Sequence, residues 1–117
     1  MSKTLVILND APYGTERSYN GLRLAGSIAK QEGEGLRVFL IGDAASCAAG
    51  RQKVPNGFYN IERMLKVVLH KGGQIGVCGS CMDARGLTED HLVEGCHRSN
   101  MAELTAWTLW SNRTLVF

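Results

Sequence analysis

The chain alternates between short continuous apolar runs and longer stretches in which apolar residues recur every three or four positions. The runs at residues 4–8, 36–41 and 74–77 are apolar at nearly every position, the pattern of strands covered on both faces. Between the first two, Leu22, Ala25, Ile28 and Ala29 make a helical stripe that extends to about Gln31, with Thr15 or Ser18 as the expected cap. Phe58, Ile61, Leu65, Val68 and Leu69 make another, which predicts a helix over 58–70. Gly33-Glu34-Gly35 and Gly72-Gly73 stop the two helices, and residues 44–57 read as a long irregular loop rich in small side chains. Farther on, residues 88–91 suit a short capped turn and 96–98 a weak strand. Ser99 with Asn100 opens a helix to about Trp110, and residues 114–117 form a closing strand.

Strands that alternate with helices predict the α/β class: a parallel sheet with right-handed crossovers and helices on both faces, hence a three-layer α/β/α domain over 1–117. The carboxyl ends of such strands form one working edge, where Asn9, Asp10, Asp43 and Cys78 should collect. Composition narrows the function classes. With 44% hydrophobic and 21% charged residues, neither a disordered chain nor a membrane protein fits. The net charge is only +2 and the Lys and Arg residues are scattered, which argues against direct nucleic-acid binding. No segment reaches the roughly 20 apolar residues that span a bilayer, and the start lacks the pattern of a secretory signal. The expected compartment is therefore the reducing cytoplasm, where the four cysteines are thiols.

The candidate chemistry lies in Cys78-Gly79-Ser80-Cys81-Met82-Asp83-Ala84-Arg85-Gly86, which starts where the third strand stops. A thiolate is a soft nucleophile that takes up and passes on sulfur or electrons, yet an ordinary thiol is only about 3% ionised at pH 7. Backbone N–H groups of residues 79–82, a helix start after the strand, and Arg85 are the expected stabilisers of a Cys78 thiolate. Asp83 would oppose them unless it pairs with Arg85. The two-residue spacing makes Cys81 a candidate resolving thiol, so the motif permits both sulfur carriage and reduction. Cys47 and Cys96 read as packing residues.

Rival readings have weaker support. A zinc site from Cys78, Cys81, Cys96 and His97 has an adjacent second pair where structural motifs space their ligands, so no metal is expected. A thioredoxin-like thiol-disulfide oxidoreductase rests on the CxxC alone, and here the pair follows the third strand. Gly42 and Tyr13-Gly14-Thr15 match no nucleotide-binding pattern, so no cofactor is expected. His70, His91 and His97 have no triad spacing. From another class, the chain is a non-catalytic oligomeric module that binds a small ligand or partner. The last helix supports an oligomer, because Ala106 and Leu109 add apolar surface beyond what Met101, Leu104, Trp107 and Trp110 need for one sheet face.

Several segments together resemble the DsrE/DsrF-like family, and within it the small YchN-like branch. They are Ala11-Pro12-Tyr13-Gly14, Asp43-Ala44, Gly50-Arg51-Gln52-Lys53, Gly57-Phe58-Tyr59-Asn60-Ile61, the Cys78-to-Gly86 motif and Trp107-Thr108-Leu109. The resemblance covers essentially the whole chain. It implies a cytoplasmic α/β/α protein with a five-stranded parallel sheet, a homotrimer or homohexamer, and a reactive Cys78. It further implies sulfur relay as a persulfide between donor and acceptor proteins, with sulfurtransferase-like or sulfur-reducing activity. Relatives keep the first cysteine of the loop but not always the second, so Cys81 departs from the relay pattern. Asn9, Tyr13, Asp43, Gly79 and Arg85 are the expected supporting residues.

Overall fold

The computed structural model describes residues 2–117. Its strands are β1 (Lys3–Leu8), β2 (Gly35–Leu40), β3 (Gln74–Cys78), β4 (Cys96–Ser99) and β5 (Arg113–Val116), and they form one sheet in the order β4-β3-β2-β1-β5. Every neighbouring pair is parallel. Four helices connect them: α1 (Arg17–Ala29), α2 (Ile61–His70), α3 (Gly79–Ala84) and α4 (Met101–Trp110).

The strand order dictates which helix covers which face. From β1 to β4 the chain steps across the sheet in one direction, so right-handed connections put α1, α2 and α3 on the same side. There Leu22, Ala25, Leu65, Val68 and Met82 pack on Val6, Leu8, Val38, Leu40 and Val77. The step from β4 back to β5 reverses direction, and α4 lands on the opposite face. It packs there through Leu104 and Trp107 on Leu5 and Phe39. Trp107 meets Phe39 edge-on, with ring centroids 6.2 Å apart.

Several element boundaries differ from the sequence reading, each for a local reason. Neither Thr15 nor Ser18 caps α1, which starts at Arg17, because both hydroxyls bond Asp10: Thr15 donates to its carboxylate and Ser18 to its carbonyl. Phe58 stands outside α2 and is 69% exposed, since Asn60 caps the helix by accepting the Arg63 N–H. The first half of the expected loop is a 3₁₀ helix, Gly42–Ala48, whose Ala44, Ala45 and Ala48 are small enough to pack directly on the core. The second half is gathered by Gln52, whose amide donates to the carbonyls of Cys47 and Ala49. The short turn Glu89–His91, the edge strand β4 and the Asn100-capped α4 match expectation.

Candidate functional site

The helix start expected after the strand extends through Ala84: Cys78 ends β3 and serves as the cap of α3. The exit of β3 turns toward the α1/α2 face, while the exit of β4 turns toward the α4 face. Open parallel sheets bind ligands where neighbouring exits diverge in this way. A crevice of about 470 Å³ lies there, with Cys78, Gly79 and Ser80 on one wall and Arg98, Ser99, Asn100 and Met101 on the other, and Glu89 at its margin. The register sets Cys78 directly beside Ser99.

The two thiols of the motif differ in acidity. Burial opposes ionisation of Cys78, but hydrogen bonds from the Cys81 thiol, the Ser80 hydroxyl and the backbone N–H groups of Cys81 and Ser80 outweigh it. Its pKa is therefore lowered. The Ser80 Oγ lies 3.4 Å from the Cys78 sulfur. For Cys81 the balance is reversed: burial and its hydrogen bond to Cys78 raise its pKa, against a smaller lowering from the Gly42 N–H. That N–H donates to the Cys81 sulfur at 3.1 Å from a left-handed backbone (φ +60°), a conformation glycine adopts without strain. The geometry thus favours a charge on Cys78 and a proton on Cys81.

The charged residues pair differently from the sequence expectation. Arg85 does not reach Asp83; it donates to Asp43 at 2.5 and 3.2 Å and to the Cys81 carbonyl at 3.0 Å, bracing the second cysteine. Asp83 is taken instead by Arg98, which donates to both carboxylate oxygens at 2.8 and 3.0 Å and holds that carboxyl below its usual range. Gly79 lies beneath the Arg98 guanidinium: a Cβ there would stand 2.8 Å from Cζ. Cys78, Cys81, Gly79, Asp43 and Arg85 are therefore gathered in one place. The side chains of Asn9 and Tyr13 bond elsewhere, Asn9 to the Phe117 carbonyl and Tyr13 to Gln52 and the Ile61 N–H.

The other two cysteines fit the packing reading. Cys47 is fully buried, and burial pushes its thiol up to about 12; burial does the same to Cys96. Strand alternation turns Cys96 toward the α1/α2 core and His97 to the opposite face against Trp107. That separation breaks up the second half of the zinc arrangement considered from sequence.

A family model described as "DsrE/DsrF-like family" matches residues 2–117. The chain belongs to the DsrE/DsrF-like family. It is 36% identical to Protein YchN of Escherichia coli (strain K12) over 118 residues, with all of both chains covered. It is likewise 36% identical to the protein MJ0989 of Methanocaldococcus jannaschii over 115 residues, covering 98% of this chain and 99% of that one. The crystal structure of the E. coli ychN protein superposes on all of both chains with a TM-score of 0.94. A Methanobacterium thermoautotrophicum protein, MTH1491, at 11% identity and TM-score 0.79, shares the DsrE-like fold.

Sequence reasoning missed the parts that Arg98, the Ser80 hydroxyl and the Gly42 N–H play around the two thiols. A signal for Arg98 was present: it precedes the Ser99-Asn100 helix start, so any strand over 96–98 brings it to the carboxyl edge of the sheet. No helix among the described residues is long and apolar enough to cross a membrane.

Proposed function

We propose that this protein carries sulfane sulfur as a persulfide on Cys78 and passes it to a partner thiol. The observation that carries the reading is geometric: two neighbouring thiols lie at an open divergence of strand exits, with the Ser80 hydroxyl on the sulfur of Cys78 and the Gly42 N–H on that of Cys81, surroundings that favour the anion on Cys78 and the proton on Cys81. In the loading step the Cys78 thiolate attacks the outer sulfur of a donor persulfide. A new S–S bond forms, the donor's S–S bond breaks, and its electron pair leaves with the donor thiolate. An acceptor thiolate then repeats the exchange on the outer sulfur of Cys78. For reduction, Cys81 would attack the inner sulfur, releasing hydrosulfide and leaving a Cys78–Cys81 disulfide. The raised pKa of Cys81 keeps it a poor nucleophile, which favours relay to a partner over internal resolution.

This chemistry needs a reducing compartment, and we assign the protein to the cytoplasm. We also assign it a homotrimeric or homohexameric assembly. Supporting that assignment, α4 alone covers its sheet face, leaving Leu109 82%, Val116 64% and Met101 63% exposed. Donor and acceptor proteins would approach the Cys78 crevice from the carboxyl edge of the sheet.

The test is intact-mass spectrometry after incubation with inorganic polysulfide and desalting. Wild type and Cys81→Ser should each gain one sulfur atom, and Cys78→Ser should gain none. No gain on wild type, or equal gain on Cys78→Ser, ends the proposal.

A further inference from the structure

Arg98 carries no role in the sulfur chemistry as derived so far, yet it forms part of the wall facing Cys78. Three observations fix where its charge sits. It stands next to the last residue of β4, in register with Val77, while its neighbour Ser99 is in register with Cys78. Its guanidinium fills the space that a side chain on Gly79 would need, with Nε 2.9 Å and Nη2 3.0 Å from the ideal Cβ position. It also forks onto Asp83, which stacks one turn beyond Gly79 on the same face of α3.

This ion pair is too exposed to matter much for stability, with the Arg98 and Asp83 side chains 38% and 65% accessible. Its significance is electrostatic and local. Without Arg98, the first turn of α3 would lose a positive charge and expose an unpaired carboxylate, and both changes disfavour a negative sulfur nearby. We propose that Arg98 is a positioning residue for Cys78: held over Gly79 and forked to Asp83, it sets the reactivity of the sulfur by supplying positive charge and cancelling a negative one. The inference rests on the reading of Cys78 as the reactive thiol and adds the residue that tunes it.

The other charged and titratable groups around Cys78 are accounted for. Cys81 bonds it from α3, and Glu89 faces the crevice from the Glu89–His91 turn. Glu103 on α4 is bonded by Ser99 and His97 from β4. Arg85 and Asp43 pair with each other on the Cys81 side. Arg98 is the one cation lining the crevice among the described residues.

The experiment is pulsed alkylation by iodoacetamide from acid to alkaline pH, read on the Cys78 peptide by mass spectrometry, so that no sulfur donor is involved. Arg98→Met should slow Cys78 alkylation at neutral pH by roughly three- to tenfold, and Arg98→Lys should restore part of the rate. Asp83→Asn should act in the opposite direction, speeding the reaction by about twofold, and the double variant should fall between Arg98→Met and wild type. Gly79→Ala, which displaces the guanidinium, should slow the reaction in wild type but not in Arg98→Met. A purely mechanical clamp predicts that Arg98→Met and Asp83→Asn shift the rate the same way; that result, or no shift in either, overturns the proposal. A depressed wild-type titration that Arg98→Met leaves unmoved overturns this inference alone. An ordinary thiol titration in wild type overturns it together with the persulfide reading.

Discussion

Replacing Cys81 with alanine should make Cys78 a slower nucleophile even though the reacting sulfur is untouched. Ionisation of Cys78 is favoured by the Cys81 thiol, the Ser80 hydroxyl and two backbone N–H groups, and the substitution deletes the first of these while keeping the rest. A hydrogen bond to a charged acceptor nets about 1.5–3 kcal/mol, but a thiol is a weak donor and this one lies near solvent, so about 1 kcal/mol is the appropriate scale. That corresponds to roughly a fivefold loss of thiolate at neutral pH. The sign follows from the direction of the shift. A donor that stabilises the anion lowers the pKa, so its loss moves the rate-pH curve toward alkaline values and, because a more basic thiolate is the stronger nucleophile, slightly raises the alkaline plateau. Iodoacetamide kinetics on the Cys78 peptide would measure both features. Cys81→Ser should remain close to wild type, because the hydroxyl keeps a donor on Cys78 and an acceptor for the Gly42 N–H. If Cys81→Ala reacts as fast as wild type at neutral pH, the account of how the pair divides its charge is wrong.

Three further outcomes follow from the packing and the polar network. Trp107→Ala should cost about 3–5 kcal/mol in urea unfolding, because the ring is 4% exposed between Leu104, Phe39 and Leu5 beneath the one helix on that face; a loss under about 1 kcal/mol would contradict the two-core description. Burial opposes ionisation of Glu103, but bonds from Ser99 and His97 prevail and depress its pKa. Its contribution to stability is therefore present above the ordinary carboxylate range and fades as pH falls through the depressed value. Glu103→Gln should flatten that acid limb in urea midpoints taken against pH, and an unchanged limb would refute the assignment. Leu109→Glu should reduce the assembly to smaller species in light scattering without loss of helical signal, and a wild type that is already monomeric would remove the premise.

Most of the fold was legible because each strand and long helix announces itself locally: a run of apolar residues needs no knowledge of its neighbours to read as a buried strand. Caps were less legible, since Thr15 and Ser18 are good capping residues by type and were claimed by Asp10 from a preceding turn. The candidate sulfur was legible for the same local reason as the strands, as Cys78 stands where an apolar run stops. Its surroundings were not. Expecting only a helix start after the strand, with no stated extent, allowed Asp83 to pair with Arg85, two positions on. Helical geometry forbids that contact, because residues two apart point to different sides. Once the segment is a helix, Arg85 must look toward Asp43 and Asp83 must find a partner from another element.

That partner depends on topology. The chain crosses the sheet in one direction as far as β4 and then reverses, so β3 and β4 are the neighbours whose exits leave for opposite faces. Nothing in the local pattern of either strand states that they are adjacent. Adjacency brings Arg98 over Gly79 and Ser99 beside Cys78, and it opens the crevice between them. The motif supplies a nucleophile and the reversal at β4 supplies the environment that would make it reactive. The residues that decide the chemistry should therefore divide into two groups: those within the cysteine motif, which a sequence pattern can find, and those at the end of the adjoining strand, which only the strand order reveals.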